Sequence, residues 1–387
     1  MIKIKNIFNT KYVVAIIFIA IFLFIILFQK NRLDITIDSK NLILDNNNNN
    51  KNICYFDNNK ILYTETAEEL VESSNGEMVP VEILHYYNIG TKQDKEVYKL
   101  INSSIQNMMN VEENIFVCVV ANSEEEKILK LEFDNNKSNE LYNWKHYPPI
   151  SFSDIFIDNK IITFNPQLTE DGYNYDVFSF DYSNNKKEQF LQTTYNKKDN
   201  IGNIISSYCI YNDNVVIYNT EYRGTEEPIR SLNFYSYSGE LIEKIDIDIE
   251  EFLDLDWYFG NNFKDSINKI YSCGKYIILK SQYGRLLFFD VEQKKFVNTE
   301  LQQMLNEPLR YFSTVQNKSA VFWDKESRNI IIFNGDNVEF YKTKFVFSEE
   351  FNDFKIKYIQ LDSNENLLIS GNINESQEYK YFLVNVD

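Results

Sequence analysis

The sequence predicts an all-β chain: a seven-bladed β-propeller preceded by one N-terminal transmembrane helix. Three observations carry this. Two short polar markers each return seven times at a period near 50 residues, which is the period range of propeller blades. Between the markers, apolar and polar residues alternate with the period of two that marks half-buried strands. Near the start lies one long run without a charge.

That run comes first. Tyr12 to Phe28, YVVAIIFIAIFLFIILF, holds 17 uncharged residues and with its flanks approaches the ~20 that cross a bilayer. Lys3, Lys5 and Lys11 precede it, and Lys30 and Arg32 follow, with Asp34 and Asp38 close behind. Three lysines and the α-amine against two cations favour a cytoplasmic N-terminus. The rival reading is a signal peptide, which needs a small-x-small cleavage site. QKNRLDITIDSK after Phe28 offers none, and no lipobox-type cysteine follows. The expectation is an uncleaved signal-anchor: residues 1–11 cytoplasmic, 12–29 in the membrane, 30–387 a propeller outside the cytoplasm. The protein is then a single-pass protein of the cell membrane.

Leu33 to Leu44, LDITIDSKNLIL, alternates like a strand. The last unit has strands near 355–361, 366–370 and 379–386 and lacks a fourth. The N-terminal strand is expected to complete that last blade. The five asparagines at 46–50 then form a surface loop, and residues 30–32 are the only tether, spanning roughly 10 Å if extended.

The first marker closes an alternating run. It falls at Asn88, Asp134, Asp181, Ser236, Asp290, Asn334 and Asn385, with gaps of 46, 47, 55, 54, 44 and 51. FSFDYSNNKKEQF (178–190) shows the pattern: apolar strand, acid, polar turn, next strand. The second marker is a polar turn that opens an apolar run, as in FDNNKILYT (56–64), IDNKIITF (157–164) and YNDNVVIY (211–218). Each unit therefore reads as strand, tight turn, strand, loop, strand, tight turn, strand. Asn, Asp and Gly build such turns because they tolerate positive φ; Ser238-Gly239 and Asn334-Gly335 are the clearest pairs. A four-stranded sheet cannot bury both faces alone, but radially packed sheets can.

These repeats resemble bacterial extracytoplasmic β-propellers, TolB-like and WD-repeat-like in style, over about residues 33–387. The resemblance rests on strand pattern. The WD dipeptide is missing from the blade ends, with Trp323-Asp324 occurring once and out of place, and the Asp-box of sialidase-like propellers is missing too. The resemblance implies a fold and carries no functional residue with it.

Composition excludes some functions. A net charge of −18 opposes binding to phosphate backbones, which needs clustered Lys and Arg, so nucleic acid is not an expected partner. The 16% aromatic content suits pleated, half-buried surfaces. Cys54, Cys118, Cys209 and Cys273 make no CxxC pair, and their spacings of 64, 91 and 64 fit no zinc pattern. They read as isolated buried thiols. No GxSxG, Walker loop, GxGxxG or HExxH occurs. No calcium loop is expected among the acids of IDIDIEE, Asp254 and Asp256, and DSNEN (362–366) reads as a blade turn. No catalytic residue, metal or cofactor is assigned.

In a propeller the turns between strands one and two and between three and four share one end. The loops between strands two and three and between units share the other. The longer segments, 64–80, 165–176, 219–231 and 243–268, all fall in the second set, and long loops on a rigid scaffold carry binding. Candidate ligand-binding residues there are Trp257, Tyr258, Tyr173, Tyr175, Tyr222, Arg223, Trp144 and His146. Exposed aromatics beside acids stack on sugars or anchor a protein loop; alternatively each ring fills a gap between blades. Arg223 is most simply a partner of Glu221 or Glu226, and His85 a satisfied interior residue. The expected role is recognition of a cell-envelope protein or cell-wall glycan through this end. The alternative is a polysaccharide- or peptide-processing enzyme using acids there, possible only if two carboxyls stand about 5–10 Å apart.

Overall fold

The computed structural model describes residues 34–46, 51–57, 59–72, 76–122, 125–135, 137–145, 155–157, 159–253, 266–297, 305, 311–316, 318–324, 327–336, 339–373 and 379–385. Two short strands open it, β1 (Ile35–Ile37) and β2 (Leu42–Asn46). Next come β3 (Lys51–Asp57), β4 (Lys60–Glu72), β5 (Met78–Asn88) and β6 (Gln93–Ile101), then β7 (Ser104–Glu112), β8 (Ile115–Ala121), β9 (Glu125–Glu132) and β10 (Lys137–Lys145). The middle of the chain holds β11 (Ile155–Ile157), β12 (Lys160–Thr169), β13 (Gly172–Asp181), β14 (Lys186–Asn196), β15 (Ile201–Tyr211), β16 (Asn214–Arg223), β17 (Ile229–Tyr235) and β18 (Leu241–Ile247). One helical turn, α1 (Glu250–Leu253), leads on to β19 (Ile267–Cys273), β20 (Tyr276–Ser281), β21 (Leu286–Asp290) and β22 (Lys295–Phe296). The last elements are β23 (Tyr311–Gln316), β24 (Ser319–Asp324), β25 (Asn329–Asn334) and β26 (Glu339–Phe347), a 3₁₀ turn at Glu349–Phe351, and β27 (Phe354–Leu361), β28 (Asn366–Ile373) and β29 (Tyr379–Asn385).

The fold is an all-β propeller, but seven separate blades are not what forms. Among the described residues there are five sheets of blade size: β3–β6, β7–β10, β19–β22, the five-stranded β23–β26 with β1, and β27–β29 with β2. The sixth sheet has eight strands, β11 through β18 in order. The count is corrected because β14 and β15 hydrogen-bond, Tyr195 opposite Gly202 and Asn196 opposite Ile201. The ladder therefore runs unbroken through two successive repeats of the sequence pattern.

The single N-terminal strand is corrected as well. LDITIDSKNLIL splits at a turn in which Asn41 N–H donates to the Asp38 carbonyl. β1 goes to β26 in parallel, Ile37 opposite Phe347. β2 goes antiparallel along β29, Leu42 opposite Phe382. The expected transmembrane helix is not supported: span 12–29 lies outside the described residues, and among those no helix is long and apolar enough to cross a membrane. Residues 47–50, most of the expected asparagine loop, also lie outside them.

Alternation places each core between neighbouring sets of strands. Phe116, Leu131 and Phe133 of the β7–β10 sheet and its flank pack with Leu62, Leu84 and Val97 of β3–β6. Phe288 and Leu286 pack with Phe322 and Phe333. Phe345, Phe347, Phe354 and Phe382 surround Ile37. Leu368 and Tyr381 near the C-terminus pack with Phe56, Ile61 and Tyr63 near the start, so the circle closes. Inside the eight-stranded sheet, Phe164 and Val177 pack with Ile205 and Ile217; the sheet turns over and buries its own inner face.

The markers have a shared physical role. At the end of a third strand, a polar side chain accepts from the backbone of the turn that follows. Asn88 Oδ1 accepts from Thr91 N–H at 3.0 Å, Asp181 Oδ1 from Ser183 N–H at 2.9 Å, Asp290 Oδ1 from Gln293 N–H at 2.9 Å and Asn334 Oδ1 from Asp336 N–H at 3.0 Å. Ser236 Oγ does the same for Glu240 N–H at 3.2 Å. The first hairpin of the same repeat then reaches across: Asn114 Nδ2 donates to Asp134 at 3.2 Å, Asn159 Nδ2 to Asp181 at 3.0 Å, and Lys275 Nζ lies 3.2 Å from Asp290.

Candidate functional site

β12 to β16 are ten or eleven residues long, against six for β20, β23, β24 and β25. Four or five extra residues at about 3.3 Å each raise this part roughly 13–17 Å above a short-stranded sheet. The extra length lies at the end expected to carry loops. Segments 165–176 and 219–231, read from sequence as loops, are mostly paired strand: Gln167 faces Asn174, Leu168 faces Tyr173 and Thr220 faces Arg230. The aromatic and polar residues there alternate, so they form a standing wall instead.

Two glycines let the wall close up. Gly172 has φ +159° and a Cβ on it would lie 1.9 Å from the Tyr195 carbonyl oxygen. Gly202 has φ +119° and a Cβ there would lie 2.1 Å from the Thr194 carbonyl oxygen. Only glycine permits both the conformation and the approach. At the opposite end, Asn212 and Asp213 hold φ +45° and +60°, the two-residue hairpin turn that suits the strand twist.

The wall gathers tyrosines from three strands. Tyr173 stands 6.3 Å from Tyr175 and 6.4 Å from Tyr195, ring centre to ring centre, and Tyr195 stands 5.0 Å from Tyr222. Tyr175 is buried, while Tyr173, Tyr195 and Tyr222 are half-buried. Burial, then the neighbouring phenols of Tyr173, Tyr222 and Tyr195, pushes the Tyr175 hydroxyl pKa well up. Burial likewise raises that of Tyr222, with Tyr195 adding to it. Tyr195 Oη donates to Asn200 Oδ1 at 3.0 Å, which fixes the ring over the turn. Around the cluster, Arg223 Nε lies 2.8 Å from Glu221, which Lys244 Nζ also meets at 3.0 Å. Hydrogen bonds from Arg223 and Lys244 hold the Glu221 carboxyl below its ordinary range. Arg230 pairs with Glu250 of α1. Leu168, opposite Tyr173 in the ladder, is 60% exposed and sets an apolar group beside the rings, whereas Ile201, 56% exposed, projects from the other face of the sheet.

Tyr173 and Tyr175 also line a cavity of about 1630 Å³. Its walls are first strands of successive repeats: Ile204 to Tyr211 of β15, Ile267 to Ser272 of β19, Val315 of β23 and Phe156 of β11. It reaches to the short-turn end, where Asp213, Lys275, Glu292, Lys318 and Asp336 line it. The cavity follows the propeller axis.

Of the candidates read from sequence, Tyr173, Tyr175 and Tyr222 therefore gather on one face of the wall, while Arg223, next in the strand to Tyr222, pairs with Glu221 on the other. Trp144 does not join them. It is 9% exposed and packs edge-on to Phe178 at 5.4 Å within the core between β7–β10 and the eight-stranded sheet. Trp257, Tyr258 and His146 lie outside the described residues. Sequence reasoning missed Tyr195, which stands alone in LQTTYNKKDN; the signal was its register opposite Tyr173. His85 stacks on Tyr63 at 4.9 Å and lies 3.3 Å from Asp94, which also accepts from Tyr63 at 2.5 Å. The four cysteines are free thiols; burial pushes Cys273 up to about 12. Among the described residues no group of three or more His, Cys, Asp or Glu could hold a metal ion.

Comparison with solved structures identifies the architecture. The β-propeller domain of the Trilobed protease from Pyrococcus furiosus, described as having an open velcro topology, is similar at a TM-score of 0.54 and 12% identity over 88% of this chain and 96% of that one. Pyrococcus horikoshii acylaminoacyl peptidase is similar at a TM-score of 0.52 and 12% identity over 84% of this chain. The chain spans about half, 49%, of that peptidase. Identities this low establish the β-propeller fold and nothing finer. No family model matches the sequence, and no curated protein matches it.

Proposed function

We propose that the chain is a recognition module whose tyrosine wall holds an extended segment of a partner protein. The observation that carries this is the convergence of Tyr173, Tyr175, Tyr195 and Tyr222 on one raised edge. Rigid, amphipathic rings give large contact area at low entropic cost and dominate binding energies. The exposed Leu168, opposite Tyr173, favours a protein surface over a sugar, since apolar groups beside such anchors exclude water. The two solved structures described above bear the names of peptide-cleaving enzymes, in keeping with a peptide as ligand. A cell-envelope protein is the partner class that follows from the extracytoplasmic style of the repeats.

The test is crosslinking in cells followed by mass spectrometry on wild type, Tyr195→Ala with Tyr222→Ala, and a control, Leu241→Ala with Ile242→Ala. The control residues are exposed at the start of β18, away from the wall. A protein captured by wild type and control but lost from the tyrosine variant supports the reading. Equal capture by all three overturns it. Binding only to glycans on an array moves the ligand class to carbohydrate. Once the partner is known, truncation of Tyr173, Tyr195 or Tyr222 is in each case expected to weaken affinity at least about tenfold.

A further inference from the structure

The lysines that line the axial cavity fall into two kinds. Lys275 lies 3.2 Å from Asp290, and Lys318 lies 2.6 Å from Asp336. Lys269 has no such partner: its recorded neighbour is the Tyr271 ring, 5.3 Å from Nζ. Directly opposite Lys269 in the ladder stands Lys280 of β20. Opposed residues project from the same face of a sheet, and like charges so placed repel. Among the described residues neither lysine makes an ion pair, in a chain with 57 acids against 39 lysines and arginines.

Lys269 is exposed and Lys280 half-buried, so the two like charges meet at the edge of the cavity. Burial drives the pKa of both ammonium groups down, and for Lys280 the charge of Lys269 adds to it. Like charges directly opposite each other weaken a ladder until a counter-charge arrives. Lys269 is accessible from the cavity, which Asn268 and Tyr271 also line. The ladder skips Asn268, since Ile267 pairs with Ser281 and Lys269 with Lys280, so Asn268 stands beside the lysines outside the regular pairing.

We propose that Lys269, which lines the axial cavity, and Lys280 beside it form an anion subsite, taking a phosphate or the two carboxylates of a small dicarboxylic acid. Both groups carry charge enough to satisfy two ammonium donors at once. The subsite is separate from the tyrosine wall and does not depend on the partner proposed for it.

Titration calorimetry of the full chain at low ionic strength tests it, with inorganic phosphate and succinate as separate probes and sodium chloride as the control for screening. At least one probe is expected to bind with a Kd of about 1 mM or tighter. Lys269→Met and Lys280→Met are each expected to weaken that binding at least tenfold, while Lys280→Arg keeps it within about threefold. Phosphate alone binding, or succinate alone, decides the source. Thermal melts give an independent readout: the bound anion raises the wild-type midpoint, whereas Lys280→Met melts higher than wild type without anion and ignores its addition. Tyr195→Ala with Tyr222→Ala is expected to bind the anion as wild type does. No binding of either probe at about 10 mM, or equal binding by wild type and both methionine variants, overturns the proposal.

Discussion

Asp181 stops the strand it ends. Its carboxylate accepts from Ser183 N–H and Oγ, from Asn184 Nδ2 and, across the sheet, from Asn159 Nδ2. Burial pushes its pKa up, but the hydrogen bonds from Ser183 and Asn184 and the Lys160 charge outweigh it, so the folded value lies below the ordinary one. The sign follows: the stability this group contributes is present above the unfolded pKa of about 3.9 and is lost as pH falls through the folded value. Urea melts of wild type and Asp181→Asn are expected to differ at pH 7 and to converge on acidification. The buried phenol of Tyr175 runs the other way. Its raised pKa means that its contribution is intact below about 10 and lost as pH rises through the folded value. Tyr175→Phe should therefore flatten the alkaline loss of stability, followed by melts between pH 9 and 12. At this scale the sequence was highly legible, because an acid or amide that must accept from the next turn recurs wherever a third strand ends. Tyr195, and the meeting of Lys269 with Lys280, were illegible: both depend on which residue lies opposite in the register, and spacing along the chain does not supply that.

The wall of β12 to β16, like the long hairpin of β4 and β5, departs from a plain short-stranded repeat. Its strands continue through segments that composition marks as loops, because Tyr173 and Tyr175, like Tyr222 against its neighbours, keep a period of two among polar residues. Sequence showed the aromatics and placed them at the end opposite the short turns. It could not show that a paired ribbon, and not a loop, presents them. The ribbon depends on Gly202, where any side chain meets the Thr194 carbonyl oxygen at 2.1 Å with φ at +119°. Gly202→Ala is expected to cost about 1–3 kcal/mol and to open the β14–β15 pairing. Hydrogen exchange over residues 193–203 checks it: faster exchange there, with β23–β26 unchanged, is the expected result.

For the molecule as a whole, the period near 50 residues foretold the propeller, but not how its strands would partition into sheets. Two residue pairs, Tyr195 with Gly202 and Asn196 with Ile201, are enough to merge two repeats, and nothing in the pattern of apolar residues forbids or demands them. The ends are joined by different means. β1 lies parallel on β26 and β2 antiparallel on β29, so one short ribbon bridges two neighbouring sheets. Ile37 is fully buried beneath Phe345, Phe347 and Phe382. Ile37→Ala is expected to remove about 2–5 kcal/mol, read as a fall in the midpoint of thermal unfolding.

That ribbon also sets a clock on biogenesis. Asn41 Nδ2 donates to the carbonyl of Leu383, 342 positions later. At about 5–20 residues per second, a ribosome takes roughly 20–70 s to make the partner that β2 needs. Through that interval the earlier repeats can collapse in turn while the opening ribbon waits with its apolar side unclaimed. Locking the circle thus waits until Leu383 has been made, and through that interval β2 is the strand most open to holding chaperones.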